Sequence, residues 1–214
     1  MSINNPKTTK IVLENIGKRF RFEWIFKNVS LTFEQGKRYA LLGHNGSGKS
    51  TLMQLISGFL TPSKGSLRCI EAEKGIDLDD FYTKISYAAP YIDLIEEFTL
   101  QETIDFHQKF KPFSDGFDTQ KVMERLNFPK GNTHKQVRYF SSGMKQRLKL
   151  ALALCSNTPI ILLDEPTTNL DAQGVEWYRA LVLERTQDKL LIVASNIPQD
   201  YDFCDEEILV ENYK

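Results

Sequence analysis

GHNGSGKST, Gly43–Thr51, is the stretch on which the reading of the whole chain turns. It fits the spacing G-x-x-x-x-G-K-[ST], with Gly43, Gly48, Lys49 and Ser50 at the fixed positions. The apolar run RYALLG (Arg38–Gly43) precedes it. KSTLMQLISGF follows, with Leu52, Ile56 and Phe59 at helical spacing and Leu55 beside them, and Pro62 stops it shortly afterwards. Strand, glycine loop and helix form the context that makes such a loop a phosphate cradle. Glycines let the backbone of Gly43, His44, Asn45, Gly46, Ser47 and Gly48 wrap closely enough for successive N–H groups to aim at one anion. The helix starting near Lys49 adds the positive end of its dipole. Lys49 is expected to reach the β- and γ-phosphates of a nucleotide, Ser50 to ligate Mg²⁺, and Thr51 to offer a hydroxyl to the α-phosphate. His44 is expected to face solvent and to contribute its backbone N–H rather than its ring.

A second stretch, PIILLDEPTTNLD (Pro159–Asp171), delivers two adjacent carboxylates at the end of an apolar strand. Side chains alternate along a strand, so Asp164 and Glu165 can point differently while both sit at its C-terminal end. Ligands collect there in open α/β sheets. A buried acid pair without a cation is costly. Asp164 is therefore suited to hold Mg²⁺, and Glu165 to polarise an attacking water.

Bulk properties narrow the classes. The chain has 214 residues, 41% of them hydrophobic, enough for one well-packed unit. A formal net charge of -1 supplies no basic field to collect nucleic acid or anionic lipid. No apolar stretch approaches the roughly 18 residues that span a bilayer. The start, MSINNPKTTK, is polar and lacks a signal-peptide core. Any membrane role is thus expected to work through another subunit. Cys69, Cys155 and Cys204 are odd in number and far apart, which argues against structural disulfides and a zinc site. No N-K-x-D tetrapeptide of the guanine-binding kind occurs.

The N-terminal part reads as short strands, KIVLENI (Lys10–Ile16) and NVSLTFE (Asn28–Glu34). From about Pro90 to Cys155 the pattern is helical. TLQETIDFHQKF opens on a capping box, Thr99 with Glu102; DTQKVMERLNF and SSGMKQRLKLALALC follow in the same style. Alternation then resumes: strand Ile160–Asp164, helix about Ala172 to Arg185, strand LLIVA, strand EEILV. Apolar strands alternating with helices imply a mostly parallel sheet covered on both faces.

YFSSGMKQRLKLALAL, Tyr139–Leu154, resembles the signature of the ABC ATPases, usually written L-S-G-G-Q. Phe140, Ser141, Ser142, Gly143 and Met144 take its five places, and two of the five, Ser141 and Gly143, are retained. DEPTTNLD is similar to the family's Walker B motif and D-loop, with Asn169 and Asp171 in the latter. The resemblance covers essentially the whole chain, with four motifs in the family's order.

The resemblance implies a P-loop NTPase core with an N-terminal antiparallel β subdomain and an inserted helical subdomain. It implies one ABC ATPase domain over 1–214, with the core at about 1–89 and 157–214 and the helical subdomain at about 90–156. It implies ATP with Mg²⁺, and a head-to-tail dimer, either of two copies or with a paralogue. In that dimer Ser141, Ser142 and Gly143 face the γ-phosphate held by the other subunit. Partners would be that second ATPase subunit and a membrane-spanning permease subunit, not nucleic acid. The location would be cytoplasmic, peripheral on the inner face of the membrane through the permease. The adenine-stacking aromatic would be Phe20, with Phe22 and Trp24 as replacements.

Two positions depart from the family. Its Q-loop glutamine falls at Pro90, which has no side-chain oxygen; Gln101 lies too far along. The stretch PYIDLIEEFTL, with Tyr91, Ile92, Leu94, Ile95 and Phe98, reads either as a docking groove for the membrane subunit or as core of the helical insert. The switch histidine falls at Asn196, between Ser195 and Ile197. Asparagine can donate to a γ-phosphate but cannot carry charge or shuttle a proton. The function expected is an ATP-hydrolysing transporter subunit with Glu165 as base, Asn196 as γ-phosphate sensor, and activity reduced by Pro90 and Asn196. The alternatives are an ATP-dependent dimerising switch with little hydrolysis, or a soluble ABC protein not engaged in transport.

Overall fold

The computed structural model describes residues 8–129 and 131–214; residues 1–7, within the polar N-terminal stretch, lie outside it. In chain order the elements are β1 (Thr9–Phe20), β2 (Glu23–Glu34), β3 (Arg38–Leu42), α1 (Lys49–Ile56), β4 (Lys64–Glu71), β5 (Lys74–Ile76), α2 (Leu78–Phe81) and β6 (Ile85–Ala88). Then come α3 (Leu100–Phe110), α4 (Thr119–Leu126), α5 (Ser142–Cys155), β7 (Ile160–Asp164), α6 (Ala172–Arg185), β8 (Leu190–Ala194) and β9 (Glu206–Leu209). Two sheets result. One is antiparallel in the order β2-β1-β4-β5; the other has the order β6-β7-β8-β3-β9, with every pair parallel.

The fully apolar strands have a direct explanation in packing. In β7, Ile160 and Leu162 join the core shared with β1, β2 and α1, whereas Ile161 and Leu163 join the core under α5 and α6. In β8, Leu190 and Ile192 lie on the first side, Leu191 and Val193 on the second. Each alternate side chain thus meets a different layer, and no face is left for polar residues. A third cluster, with Leu100, Ile104, Val122, Leu126 and Leu148, packs α3, α4 and α5 against one another.

Local signals explain the helical starts. Thr99 and Glu102 form the capping box reciprocally: Glu102 N–H donates to Thr99 Oγ1 at 3.2 Å and Thr99 N–H to Glu102 Oε2 at 2.8 Å. Asp118, Ser141 and Asp171 cap α4, α5 and α6 one way, each side chain accepting from the backbone N–H three residues on.

Three features differ from the sequence reading. Helix α1 ends at Ile56, with Gly58 at φ +77°, so Phe59 leaves the helical face and is 79% exposed. The strand read at Lys10–Ile16 runs on to Phe20, and its partner begins at Glu23 rather than Asn28. The hairpin β4–β5 has no counterpart in the sequence pattern; it is held by pairing to β1, Ile11 opposite Cys69, rather than by an alternation of its own.

Candidate functional site

Sheet order assembles the site. Strands β7, β8 and β3 are neighbours, and Asp164, Ala194 and Leu41 fall in one row of the register. The residues that follow on each strand therefore emerge side by side at the C-terminal edge: Glu165, Ser195 and Asn196, and the loop from Gly43.

The loop has the backbone that the glycines were expected to permit. Gly43, Gly46 and Gly48 sit at φ +144°, +82° and +106°. A Cβ on Gly48 would lie 2.7 Å from Ile25 Cγ2, so β2 packs tightly beneath the loop. Lys49 is buried, and its Nζ donates to the carbonyls of Gly43 at 2.6 Å and His44 at 3.3 Å. Burial pulls the Lys49 ammonium below its ordinary pKa, against the opposing pull of Glu165, Asp164 and Glu211. The cation is thus held inside the loop, close to where a phosphate would replace those carbonyls as its partner.

His44 is exposed as expected. Its backbone N–H donates to Glu211 Oε1 at 2.7 Å, and the His44 ring lies near Lys214. The C-terminal 3₁₀ turn Val210–Tyr213 brings that carboxylate over the loop. Nothing in the sequence near Glu211 signalled this.

Asp164 is 1% exposed. Its Oδ2 accepts from the Tyr91 hydroxyl at 3.1 Å, while Oδ1 is buried without a hydrogen-bond partner. Burial raises its pKa, opposed first by the neighbouring Ser50 and Tyr91 hydroxyls; Glu165 raises it further and Lys49 opposes. A buried carboxylate oxygen lacking a donor, beside a serine hydroxyl, fits a divalent cation. Among the described residues no cluster of three or more His, Cys, Asp or Glu side chains could hold a metal alone. Mg²⁺ usually takes one or two carboxylates and completes its shell with phosphate oxygens and water.

Glu165 follows at φ +44°, a left-handed conformation uncommon outside glycine. Its N–H is held by Ala194 O at 2.8 Å, and Thr168 Oγ1 donates to its Oε2 at 3.3 Å. The kink turns the Glu165 carboxylate away from the strand's alternation while keeping it next to Asp164.

Asn196 lies on the loop's rim. Its Nδ2 donates to Asn45 Oδ1 at 2.9 Å. The preceding Ser195 is fixed from behind by Asp200, whose Oδ2 accepts from Ser195 Oγ at 2.6 Å and whose Oδ1 accepts from Thr167 Oγ1 at 2.5 Å. The Tyr178 hydroxyl closes the knot on Asp200 O at 2.9 Å. Asp200 thereby joins the segment after β8 to the segment after β7; sequence reasoning passed over it because it reads as an ordinary turn acid.

The signature segment stands apart from this edge. Ser141 and Ser142 are exposed, and Ser141 Oγ accepts from Met144 N–H at 3.2 Å. Gly143 permits a close approach: a Cβ there would lie 2.9 Å from Asn169 O. Gln146 Nε2 donates to Pro166 O at 2.9 Å, a second tie between α5 and the segment after β7. Asn169 sits at φ +66°, and the Asp171 carboxylate is spent on capping Gly174 N–H at 2.7 Å. Lys149, which the sequence did not single out, donates to Ala89 O at 3.0 Å and Pro90 O at 3.1 Å, tying α5 to the loop after β6. Met144 begins the buried side of α5.

The aromatics sort differently. Phe20 is 49% exposed at the tip of the β1–β2 hairpin, with Lys18 Nζ 5.1 Å from its ring centre. Phe22 is nearly fully exposed, whereas Trp24 lies between Arg19 and Lys27. Ile92, Leu94, Ile95 and Phe98 line an apolar groove of about 290 Å³ with Phe106 and Phe110. Leu94 also packs on the helical core, so part of the stretch is core of the helical insert and part lines an open groove. No helix among the described residues is long and apolar enough to cross a membrane.

Comparison with known proteins follows this geometry. The family model described as "ABC transporter" matches residues 26–168. An ABC transporter ATP-binding protein of Bacillus subtilis, YybJ, is 31% identical over 193 residues, 89% of this chain and 88% of that protein. The cytochrome c biogenesis ATP-binding export protein CcmA of Brucella abortus is 30% identical over 90% of this chain and 88% of its own length. A probable ATP-binding/permease protein of Haemophilus influenzae is 30% identical over 99% of this chain, which spans 40% of that protein. Among solved structures, a putative ABC transporter ATP-binding protein from Pyrococcus furiosus superposes with a TM-score of 0.79 at 20% identity, over 96% of this chain and 99% of its own. A dimeric ATP-binding cassette bound to ADP and Pi gives 0.79 at 22%, over 94% and 95%. At these identities the structures establish the fold.

Proposed function

Since this chain belongs to the ABC transporter family of ATP-binding proteins, we propose that its phosphate loop, Asp164, Glu165 and Asn196 hydrolyse ATP and that the cycle drives a separate membrane-spanning permease. The family supplies the coarser facts: an ATP-binding, ATP-hydrolysing subunit of a transporter, whose ATPase domains pair and work with permease components. The observation that carries the finer reading is the single register row of β7, β8 and β3, which sets a cation-holding loop beside two acids and an amide.

Lys49 leaves the loop carbonyls for the β- and γ-phosphates, where a charge-assisted bond is stronger than the two it gives up. Ser50 and Asp164 Oδ1 are the groups that would hold Mg²⁺. When bound, Mg²⁺ neutralises charge on the phosphate oxygens. Glu165 accepts the proton of the attacking water, and its φ of +44° aims it off the strand axis. Asn196, released from Asn45, donates to the γ-phosphate. It stabilises charge without taking a proton, so turnover is expected to be lower than with a histidine there. Pro90 lowers it further.

Ser141, Ser142 and Gly143 lie at a capped helix start that is exposed, as a surface awaiting a second subunit's nucleotide requires. Asn169 and Asp171 shape the neighbouring turn, and Phe20 is the aromatic we assign to adenine. We take residues 1–214 as one ATPase domain in which about 90–156 form the helical part, reaching the permease through the groove at Ile92 and Phe98 and working at the inner face of the membrane.

Light scattering on Glu165→Gln with Mg²⁺ and ATP tests this reading. A mass doubling that needs ATP supports it. A protein that stays monomeric with saturated nucleotide contradicts the sandwiched dimer.

A further inference from the structure

Pro90 offers no polar atom to the site, yet Asp164 is not left alone. We propose that Tyr91 is the positioning residue that presents Asp164. The inference rests on the reading of Asp164 as the carboxylate that holds Mg²⁺.

Hydrogen-bond bookkeeping fixes the arrangement. A phenol has one proton to donate and can accept from neighbours. The Asp164 carboxylate Oδ2, 3.1 Å from the Tyr91 oxygen, takes the Tyr91 proton. The Tyr87 hydroxyl is in direct contact with the same oxygen, so Tyr87 is the donor in that pair. Gln54 on α1 lines the same groove as Tyr91. Tyr91 is therefore held from β6 by Tyr87 while it points at the end of β7. Tyr87 itself stands opposite Leu162, two residues before Asp164, so both ends of the relay are built on one strand pair. The two rings pack edge to face, 79° apart at 6.2 Å.

The consequence for Asp164 is specific. One oxygen is occupied and the carboxylate plane is fixed; the other oxygen, Oδ1, is buried with no partner. A carboxylate free to rotate would present either oxygen and lose orientation on binding a cation. Holding Oδ2 leaves Oδ1 preorganised. Tyr91 acts through Asp164.

The test compares wild type, Tyr91→Phe and Asp164→Asn. ATP affinity is measured by titration with and without Mg²⁺, and phosphate release is measured across Mg²⁺ concentrations. Tyr91→Phe is expected to bind metal-free ATP as wild type does, to raise the Mg²⁺ concentration needed for half-maximal turnover about tenfold, and to recover turnover at excess Mg²⁺. Asp164→Asn is expected to lose the Mg²⁺ dependence of binding altogether. Wild-type Mg²⁺ dependence in Tyr91→Phe, with the loss seen in Asp164→Asn, overturns the role of Tyr91 alone. Wild-type dependence in Asp164→Asn removes the reading of Asp164, and the proposal falls with it.

Discussion

The Asn196 side-chain amide donates to Oδ1 of Asn45 at 2.9 Å, joining the residue after β8 to the rim of the phosphate loop across 151 positions of sequence. The bond gives Asn196 a place at the site. Asn196→Ala is expected to cut steady-state ATP hydrolysis about tenfold, the worth of one hydrogen bond near a charged phosphate, with ATP affinity nearly unchanged. Asn196→His is expected to raise turnover above wild type. Phosphate release with parallel ATP titrations measures both; unchanged hydrolysis in Asn196→Ala would leave Asn196 a turn residue only.

Lys49 Nζ donates to two loop carbonyls, those of Gly43 and His44. Lys49→Ala is expected to weaken ATP binding by about a hundredfold, read by competition with a fluorescent ATP analogue. The fold itself should survive, because the glycine backbone and the packing of Gly48 on Ile25 do not depend on the ammonium.

Gly143 is required by the nearness of Asn169 O, 2.9 Å from any Cβ placed there. The obstacle is backbone, so the segment after β7 must move to admit even a methyl group. Gly143→Ala is expected to lower the thermal midpoint by about 2–4 °C and ATP turnover about tenfold. A midpoint and turnover equal to wild type would mean that the segment yields without consequence.

Burial lowers the His107 imidazole from 6.5 to about 4, with Lys111 adding to the effect, while the ring bonds Ser156 Oγ at 2.8 Å and stacks on Phe113. A group whose folded pKa is depressed favours folding when neutral. Its contribution is complete above pH 6.5 and is lost as pH falls from about 6.5 to about 4, where the unfolded chain binds the extra proton. The loss amounts to at most about 3 kcal/mol. His107→Gln, which can keep the bond to Ser156, is expected to flatten the fall in denaturant midpoint over that range.

Much of the core site is local in sequence, and for that reason it was legible. The loop from Gly43 to Thr51 and the strand ending at Asp164 each carry their chemistry within a dozen residues, and hydrophobic pattern marks the strands around them. Caps such as Thr99 with Glu102 are equally local. What escaped is long-range. The β4–β5 hairpin exists because β1 offers it an edge about fifty residues away. Glu211 reaches His44 across 167 positions, and Tyr91 reaches Asp164 across 73. No periodicity encodes such meetings; they follow from sheet order once the strands are assembled. Phe59 was misplaced for the opposite reason: its spacing continued the helix, but Gly58 had already ended it.

The account stands most directly on steady-state phosphate release from the purified protein with Mg²⁺ and ATP, set against Glu165→Gln. The wild type is expected to turn over at least about a hundredfold faster than the variant, the usual worth of a positioned general base. Wild-type release no faster than that of Glu165→Gln would contradict hydrolysis at this site and leave a protein that binds ATP and pairs without consuming it.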